Sequence, residues 1–147
     1  MTATDQALVD TNVLVYAYFQ DSEHFEASRT LLEAAQNENA GLCVAPQNLF
    51  EFFATVTNAR RVSQAKSCEE ALKAIEEILS LPGMELLVVP ADVVSRWADL
   101  IRQAPVAAKR SFDHQLAATM LANGVLRIFT FNVSDFRAIS SIEAVTP

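Results

Sequence analysis

Short apolar runs alternate along this chain with stretches in which apolar positions recur every three or four residues. Ala7-Leu8-Val9 is one such run, ending at Asp10, and residues 12–19 then follow helical spacing. A second helix is expected over residues 24–36, where Phe25, Leu31, Leu32 and Ala35 share a stripe with the small Ser28. Residues 41–45 read as a buried strand. Pro46, suited to the first turn of a helix, opens one expected to reach Arg60. Ser67 and Glu70 form a Ser-x-x-Glu capping box ahead of Leu72, Ile75, Ile78 and Leu79. Pro82-Gly83 marks a turn, residues 85–89 a strand and residues 91–104 another helix. An Ala- and Leu-rich helix spans residues 113–123, with Gly124 at its C-terminal end. Residues 127–131 form the next strand, and Ala144-Val145 a last edge strand.

Four to five strands alternating with helices predict an α/β fold, with a central, mainly parallel sheet flanked by helices. The apolar runs do not alternate with polar residues, as expected of a sheet covered on both faces. No repeat, low-complexity stretch or linker divides residues 1–147, so one domain is expected. With 51% hydrophobic residues, 3 Gly and 5 Pro, the chain is neither collagen-like nor disordered in composition. No apolar run approaches the roughly 20 residues that span a bilayer. Residues 1–7 carry no basic region or hydrophobic signal stretch, so a cytoplasmic protein away from membranes is expected. Cys43 and Cys68 have neither zinc-site nor disulfide-scaffold spacing.

Charge changes the picture. The net charge of −7, taken alone, argues against a nucleic-acid partner. Yet residues 1–58 hold eight acids against the single base Arg29, while ten acids and ten bases balance over residues 59–147. Residues 92–137 carry a net +2. The acidity is local, and chemistry is one reason for it.

In open parallel sheets, ligands bind beyond the C-terminal strand ends, near a switch in strand order. Carboxylates occupy those positions here. Asp10 ends the first strand, Glu51 lies within the helix after the second, Asp113 opens the helix leading to the fourth, and Asp135 follows that strand. Singly, each has a plain structural role open to it: Asp113 as a helix cap and Asp135 as a turn residue. Glu51, flanked by Phe50, Phe52 and Phe53, is costly unless it faces a polar cleft. Converging, the four would repel one another unless they hold protons or a cation. All-oxygen ligands select a hard ion, so Mg²⁺ or Mn²⁺ is expected rather than zinc. Such an ion lowers the pKa of bound water and neutralises charge on a phosphoester.

The ordered segments Leu8-Val9-Asp10-Thr11-Asn12, Asn48-Leu49-Phe50-Glu51-Phe52, Phe112-Asp113-His114-Gln115-Leu116-Ala117-Ala118 and Thr130-Phe131-Asn132-Val133-Ser134-Asp135-Phe136 resemble the PIN-domain family. Within it, the resemblance is to VapC-like toxins of bacterial toxin–antitoxin modules. It covers nearly the whole chain. It implies a Mg²⁺- or Mn²⁺-dependent endoribonuclease that cleaves RNA with metal-activated water, forms a homodimer and is inhibited by a cognate antitoxin. Carried over residue by residue, Asp10 and Asp113 are the principal metal ligands, and Glu51 completes the acidic centre by ligation or by positioning water. Asp135 shares the fourth position with Asn132, which stands where many relatives have their fourth acid. Thr11 and Thr130 offer hydroxyls to water or phosphate, and Asn12 completes the polar cluster after Asp10. A PIN-like scaffold without catalysis, or another metal-dependent phosphoester hydrolase, is the alternative reading.

Arg60-Arg61 and Lys109-Arg110 flank acidic motifs and are candidate contacts to an RNA backbone; the other reading of each pair is a solvated surface. Lys109-Arg110 is favoured for its place beside Asp113. His24 reads as a cap or a solvated side chain. His114 points about 100° away from Asp113 on a helix, which argues against both being ligands. The Phe50, Phe52, Phe53 cluster is expected in the core, or as a surface for a second copy or the antitoxin. Trp97 reads as a core or interface anchor and Cys43 as a small buried hydrophobe.

Overall fold

The computed structural model describes residues 5–147; the first four residues of the segment read as lacking a signal lie outside them. Five three-residue strands, β1 (Ala7–Val9), β2 (Leu42–Val44), β3 (Met84–Leu86), β4 (Arg127–Phe129) and β5 (Glu143–Val145), form one sheet. Its order is β3-β2-β1-β4-β5, and every pairing is parallel, so the sheet is parallel throughout rather than mainly so. Parallel neighbours require crossovers. These are supplied by α1 (Thr11–Tyr18), α2 (Phe25–Ala34), α3 (Pro46–Val56), α4 (Cys68–Ser80), α5 (Val93–Gln103) and α6 (Ser111–Ala122), two per crossover, and between β4 and β5 by a segment with only a short 3₁₀ turn.

Side chains alternate across the sheet. Ala7, Val9, Leu42 and Val44 face a core built with Val13, Leu14, Leu32, Leu49, Phe52, Val56, Ala71, Ala74 and Ile78, from the first four helices. Leu8 and Cys43 face the other way, onto Leu100, Leu116, Ala117, Met120, Ile128 and Phe136. The central strand β1 is therefore buried on both sides. Burial pushes the Cys43 thiol up to about 12, so it behaves as the expected small hydrophobe and not as a nucleophile.

Several expected boundaries shift. The helix from Pro46 stops at Val56, and Asn58 then organises a turn: its carbonyl accepts from the Arg61 and Val62 amides and its Oδ1 from the Arg60 amide. The strand expected at 85–89 is the edge strand β3, ending at Leu86, and Val88 and Val89 are exposed. In α4 the capping box forms as expected, but the buried positions are Ala71, Ala74 and Ile78, with Leu72 and Leu79 exposed. The helix expected to open at Asp113 starts at Ser111, so Asp113 lies in its first turn and does not cap it. Phe52 is fully buried, but Phe50 is 72% exposed and is no core residue. Two residues apart on a helix, they point about 200° from each other. Ala108, just before α6, holds a left-handed backbone (φ 54°). Among the described residues no helix is long and apolar enough to cross a membrane.

Candidate active site

Strand order switches at β1: the chain adds β2 and then β3 on one side of it, and β4 and then β5 on the other. Asp10 leaves β1 in extended conformation, with its amide donating to the Phe129 carbonyl of β4 at 3.0 Å. It caps α1: Oδ1 accepts from the Thr11 amide at 2.8 Å. The other oxygen, Oδ2, accepts the Thr130 hydroxyl at 2.8 Å. Thr130 is fully buried just past β4, and its Oγ1 accepts from Asn12 Nδ2 at 3.1 Å and from the Asn132 amide at 3.0 Å. Both lone pairs are occupied, so the hydroxyl proton is committed to Asp10. Asn12 Oδ1 in turn accepts from the Phe131 amide at 3.2 Å. The Asp-Thr-Asn cluster thus ties the ends of β1 and β4 together while leaving the carboxylate oriented.

Glu51, on the exposed side of α3, is held at both oxygens. Thr11 Oγ1 donates to Oε2 at 3.2 Å, and Gln47 Nε2, one turn earlier on the helix, donates to Oε1 at 3.1 Å. The same amide nitrogen donates to the Phe112 carbonyl on α6 at 3.0 Å. Gln47 therefore joins the helix of Glu51 to that of Asp113. Asn48 folds back so that its Oδ1 accepts from the Ala45 amide at 2.9 Å, which fixes the start of α3. Asp135 sits on a short 3₁₀ turn, Val133–Phe136.

Asp10, Glu51, Asp113 and Asp135 all line one cleft of about 500 Å³, with Thr11, Asn12 and Asn132 beside them. Their charges reach one another. Burial, then the carboxylates of Asp135, Asp10 and Glu51, push Asp113 up to about 6, against a lowering by Arg110. Asp10 is also raised, chiefly by burial; the hydrogen bonds from Thr130 and Thr11 pull it down, and Glu51 and Asp135 push it up. A divalent cation relieves this repulsion, and the donors are all oxygen, which fits Mg²⁺ or Mn²⁺. Among the described residues no three acid, imidazole or thiol groups form a ready-made metal cage.

Thr130 reaches the site from below, through Asp10, rather than lining the cleft. Of the four candidate bases, Arg61 lines it; Arg60, Lys109 and Arg110 do not, although Arg110 acts on Asp113 through charge. His114 is buried, and its Nε2 donates to the Ala104 carbonyl at 2.9 Å, which ties α6 to the end of α5 away from the cleft. His24 makes no side-chain cap; its ring stacks on Phe131 with centroids 4.1 Å apart and pairs with Glu23. Trp97 packs against the second core and donates to the Ser111 carbonyl at 3.1 Å. Sequence reasoning passed over Gln47 and Tyr16. The spacing of Gln47, four residues before Glu51 on one helix face, is the signal that finds it. Tyr16 stands in the same relation to Asn12 and lines the cleft with it.

The PIN domain family model matches residues 7–141. Ribonuclease VapC43 of Mycobacterium tuberculosis is 35% identical over 75 residues, 51% of this chain and 51% of that protein. The match thus spans about half the length of that relative. Ribonuclease VapC24 of the same organism is 28% identical over 129 residues, 87% of each chain. Among solved structures, the sarcin-ricin loop cleaving toxin VapC20 of M. tuberculosis superposes with a TM-score of 0.69 at 18% identity, covering 97% of this chain and 100% of that one. VapBC2 of Rickettsia felis, bound to a DNA fragment from its promoter, gives 0.66 at 19%, covering 95% and 97%. At these identities the structural likeness is one of fold. Matched from β1 to beyond Asp135, the chain belongs to the PIN domain family, as the order of its four acidic motifs implies.

Proposed function

We propose that this chain is a Mg²⁺- or Mn²⁺-dependent endoribonuclease, built as a single domain and acting as the toxin of a toxin–antitoxin pair in the cytoplasm. The observation that carries the reading is the gathering of four carboxylates from distant segments in one cleft beyond the strand ends. Likeness to VapC ribonucleases supports it. Asp10 and Asp113 would hold the ion, Glu51 would complete the acidic centre, and Asn132 and Asp135 would share its fourth side. When bound, the ion neutralises charge on the scissile phosphodiester and activates water for attack. The Thr130 hydroxyl and the Thr11 amide aim Asp10 and oppose the rise that burial imposes on it, and Gln47 and Thr11 aim Glu51.

The partners follow from two surfaces. A hollow of about 300 Å³ between α1, α2 and α4 has an apolar floor of Leu14, Ala17, Leu32 and Phe52 and carries Glu77, with Glu33 paired to Arg29 at 3.4 Å beside it. It fits an amphipathic antitoxin helix bearing basic residues. Phe50, Phe112, Val89 and Val93 line a second apolar hollow next to Glu51, and this is the surface for a second copy in a homodimer.

Incubation of the purified chain with labelled RNA tests the reading. Cleavage is expected that EDTA abolishes and Mg²⁺ or Mn²⁺ restores, with loss of activity in Asp10→Asn and Asp113→Asn variants of unchanged circular dichroism. Activity that survives both substitutions removes these residues from the site. A folded parent chain that cleaves no RNA under any divalent ion favours the non-catalytic scaffold.

A further inference from the structure

The acidic cleft does not end at Tyr16. Beyond it lies a second hollow of about 230 Å³, and Val15, Tyr16, Arg61 and Val62 line both. Tyr16 is therefore one of four side chains at the boundary of two neighbouring hollows, and the one aromatic among them. Its ring is fixed edge-on against His24, with centroids 4.9 Å apart, and against Phe131 at 5.3 Å. Its carbonyl accepts the Ser22 hydroxyl at 2.8 Å, which ties the end of α1 to the loop that follows.

Arg61 is exposed, and among the described residues it makes no ion pair. Among the described residues it is the one base lining a cleft that carries four acids. The backbone that carries it is held by the Asn58 turn, and the Lys66 amide closes the loop onto the Val56 carbonyl at 2.8 Å. The guanidinium is thus presented from a structured turn, with its charge uncommitted. The second hollow adds Phe19, Ser63 and Gln64, a mixture of apolar surface and neutral hydrogen-bonding groups. Asp21 also lines it, so an anionic group is directed to Arg61 and a neutral one to the remaining space.

We propose that this second hollow is the subsite for the nucleotide that flanks the scissile phosphate of a single-stranded RNA. Arg61 takes the neighbouring phosphodiester, and the base packs against Tyr16 with its edge toward Ser63 and Gln64. Base–aromatic packing tolerates any base, and a guanidinium at a phosphate adds backbone affinity without sequence readout. The inference rests on the ribonuclease reading and adds Tyr16 and Arg61 to it as contacts for the flanking nucleotide.

The test is steady-state cleavage of short single-stranded oligoribonucleotides by the parent chain and by Arg61→Ala, Tyr16→Ala and Tyr16→Leu variants. KM is expected to rise about tenfold in each, in line with the loss of one stacked base or one charged contact, with kcat within about twofold of the parent. For Arg61→Ala the slope of log KM against log salt should fall by about 0.7, the share of one phosphate on a single strand. A methylphosphonate at the flanking position should weaken the parent and leave Arg61→Ala unchanged. An oligonucleotide carrying 5-iodouridine beside the cleavage site should photocrosslink to Tyr16. If Tyr16→Ala fails to fold, Tyr16→Leu and Arg61→Ala decide the matter. Parent cleavage with KM unchanged in the variants, or a fall in kcat alone, overturns the subsite and spares the ribonuclease reading. A parent chain that cleaves no RNA overturns both.

Discussion

Thr130 carries no charge, yet it sets the state of the most buried acid in the cleft. Its hydroxyl accepts two donors and gives its proton to Asp10, which opposes the rise that burial imposes on that carboxylate. Thr130→Val removes the bond and leaves two amide donors without their acceptor. Stability should fall by about 1.5–3 kcal/mol, read from chemical denaturation. Mg²⁺ affinity, read by calorimetry, should fall roughly 10–100-fold, the usual cost of losing a group behind a ligand. Asp113 permits a pH prediction. Its carboxyl titrates near 6 in the folded chain against an ordinary 3.8, so the folded state binds the proton more tightly than the unfolded state does. Its contribution to stability is therefore complete below about pH 4 and is lost as pH rises through about 6. In EDTA, the melting temperature of the parent should decline across that window more steeply than that of Asp113→Asn. Both acids were legible in the sequence as strand-end and helix-start carboxylates. The tie through Thr130 was not, because 120 residues separate the partners.

Helix α3 shows both what local pattern reveals and where it stops. Pro46 marks its start correctly, and Leu49, Phe52 and Val56 recur on the buried stripe. The composition Phe-Glu-Phe-Phe suggests a core cluster, but helical geometry turns Phe50 outward, and only the wheel separates it from Phe52. The end of the helix was misplaced because nothing before Asn58 forbids helix; tertiary packing and the Asn58 turn terminate it. Strand boundaries failed similarly: a three-residue strand has too few positions to display a period, and edge strand β3 loses pairing beyond Leu86. Gln47 is the link between elements. It ties α3 to α6 through Glu51 and the Phe112 carbonyl. Gln47→Ala should raise the Mg²⁺ concentration for half-maximal cleavage by about tenfold, with stability changed by about 1 kcal/mol or less. Gln47→Glu should be worse, because it sets an anion beside Glu51 and against a carbonyl oxygen.

For the whole molecule, a net charge of −7 first pointed away from RNA. Four of its acids share one cleft with Arg61 at its edge, and on the proposed reading that part of the charge is a cation's counterpart rather than a barrier to phosphate. The largest exposed apolar groups lie nearby, with Phe50 72% and Phe112 53% accessible. If a second copy covers them, Phe50→Asp should sediment as a monomer where the parent sediments as a dimer; equal sedimentation of the two as dimers would place the contact elsewhere.

The parallel sheet also sets a timetable. A sheet made of hairpins can be assembled piece by piece as a chain emerges from the ribosome, but here the first strand made is the central one, and it waits for β4 to close its second edge. Asp10 gains its hydroxyl partner only when Thr130 has been translated, and the Thr130 amide is itself held by the Val145 carbonyl. A nascent chain halted anywhere before that point carries Asp10, Glu51 and even Asp113 without the frame that aligns them. The frame of the cleft is thus complete only once the fifth strand has docked beside β4.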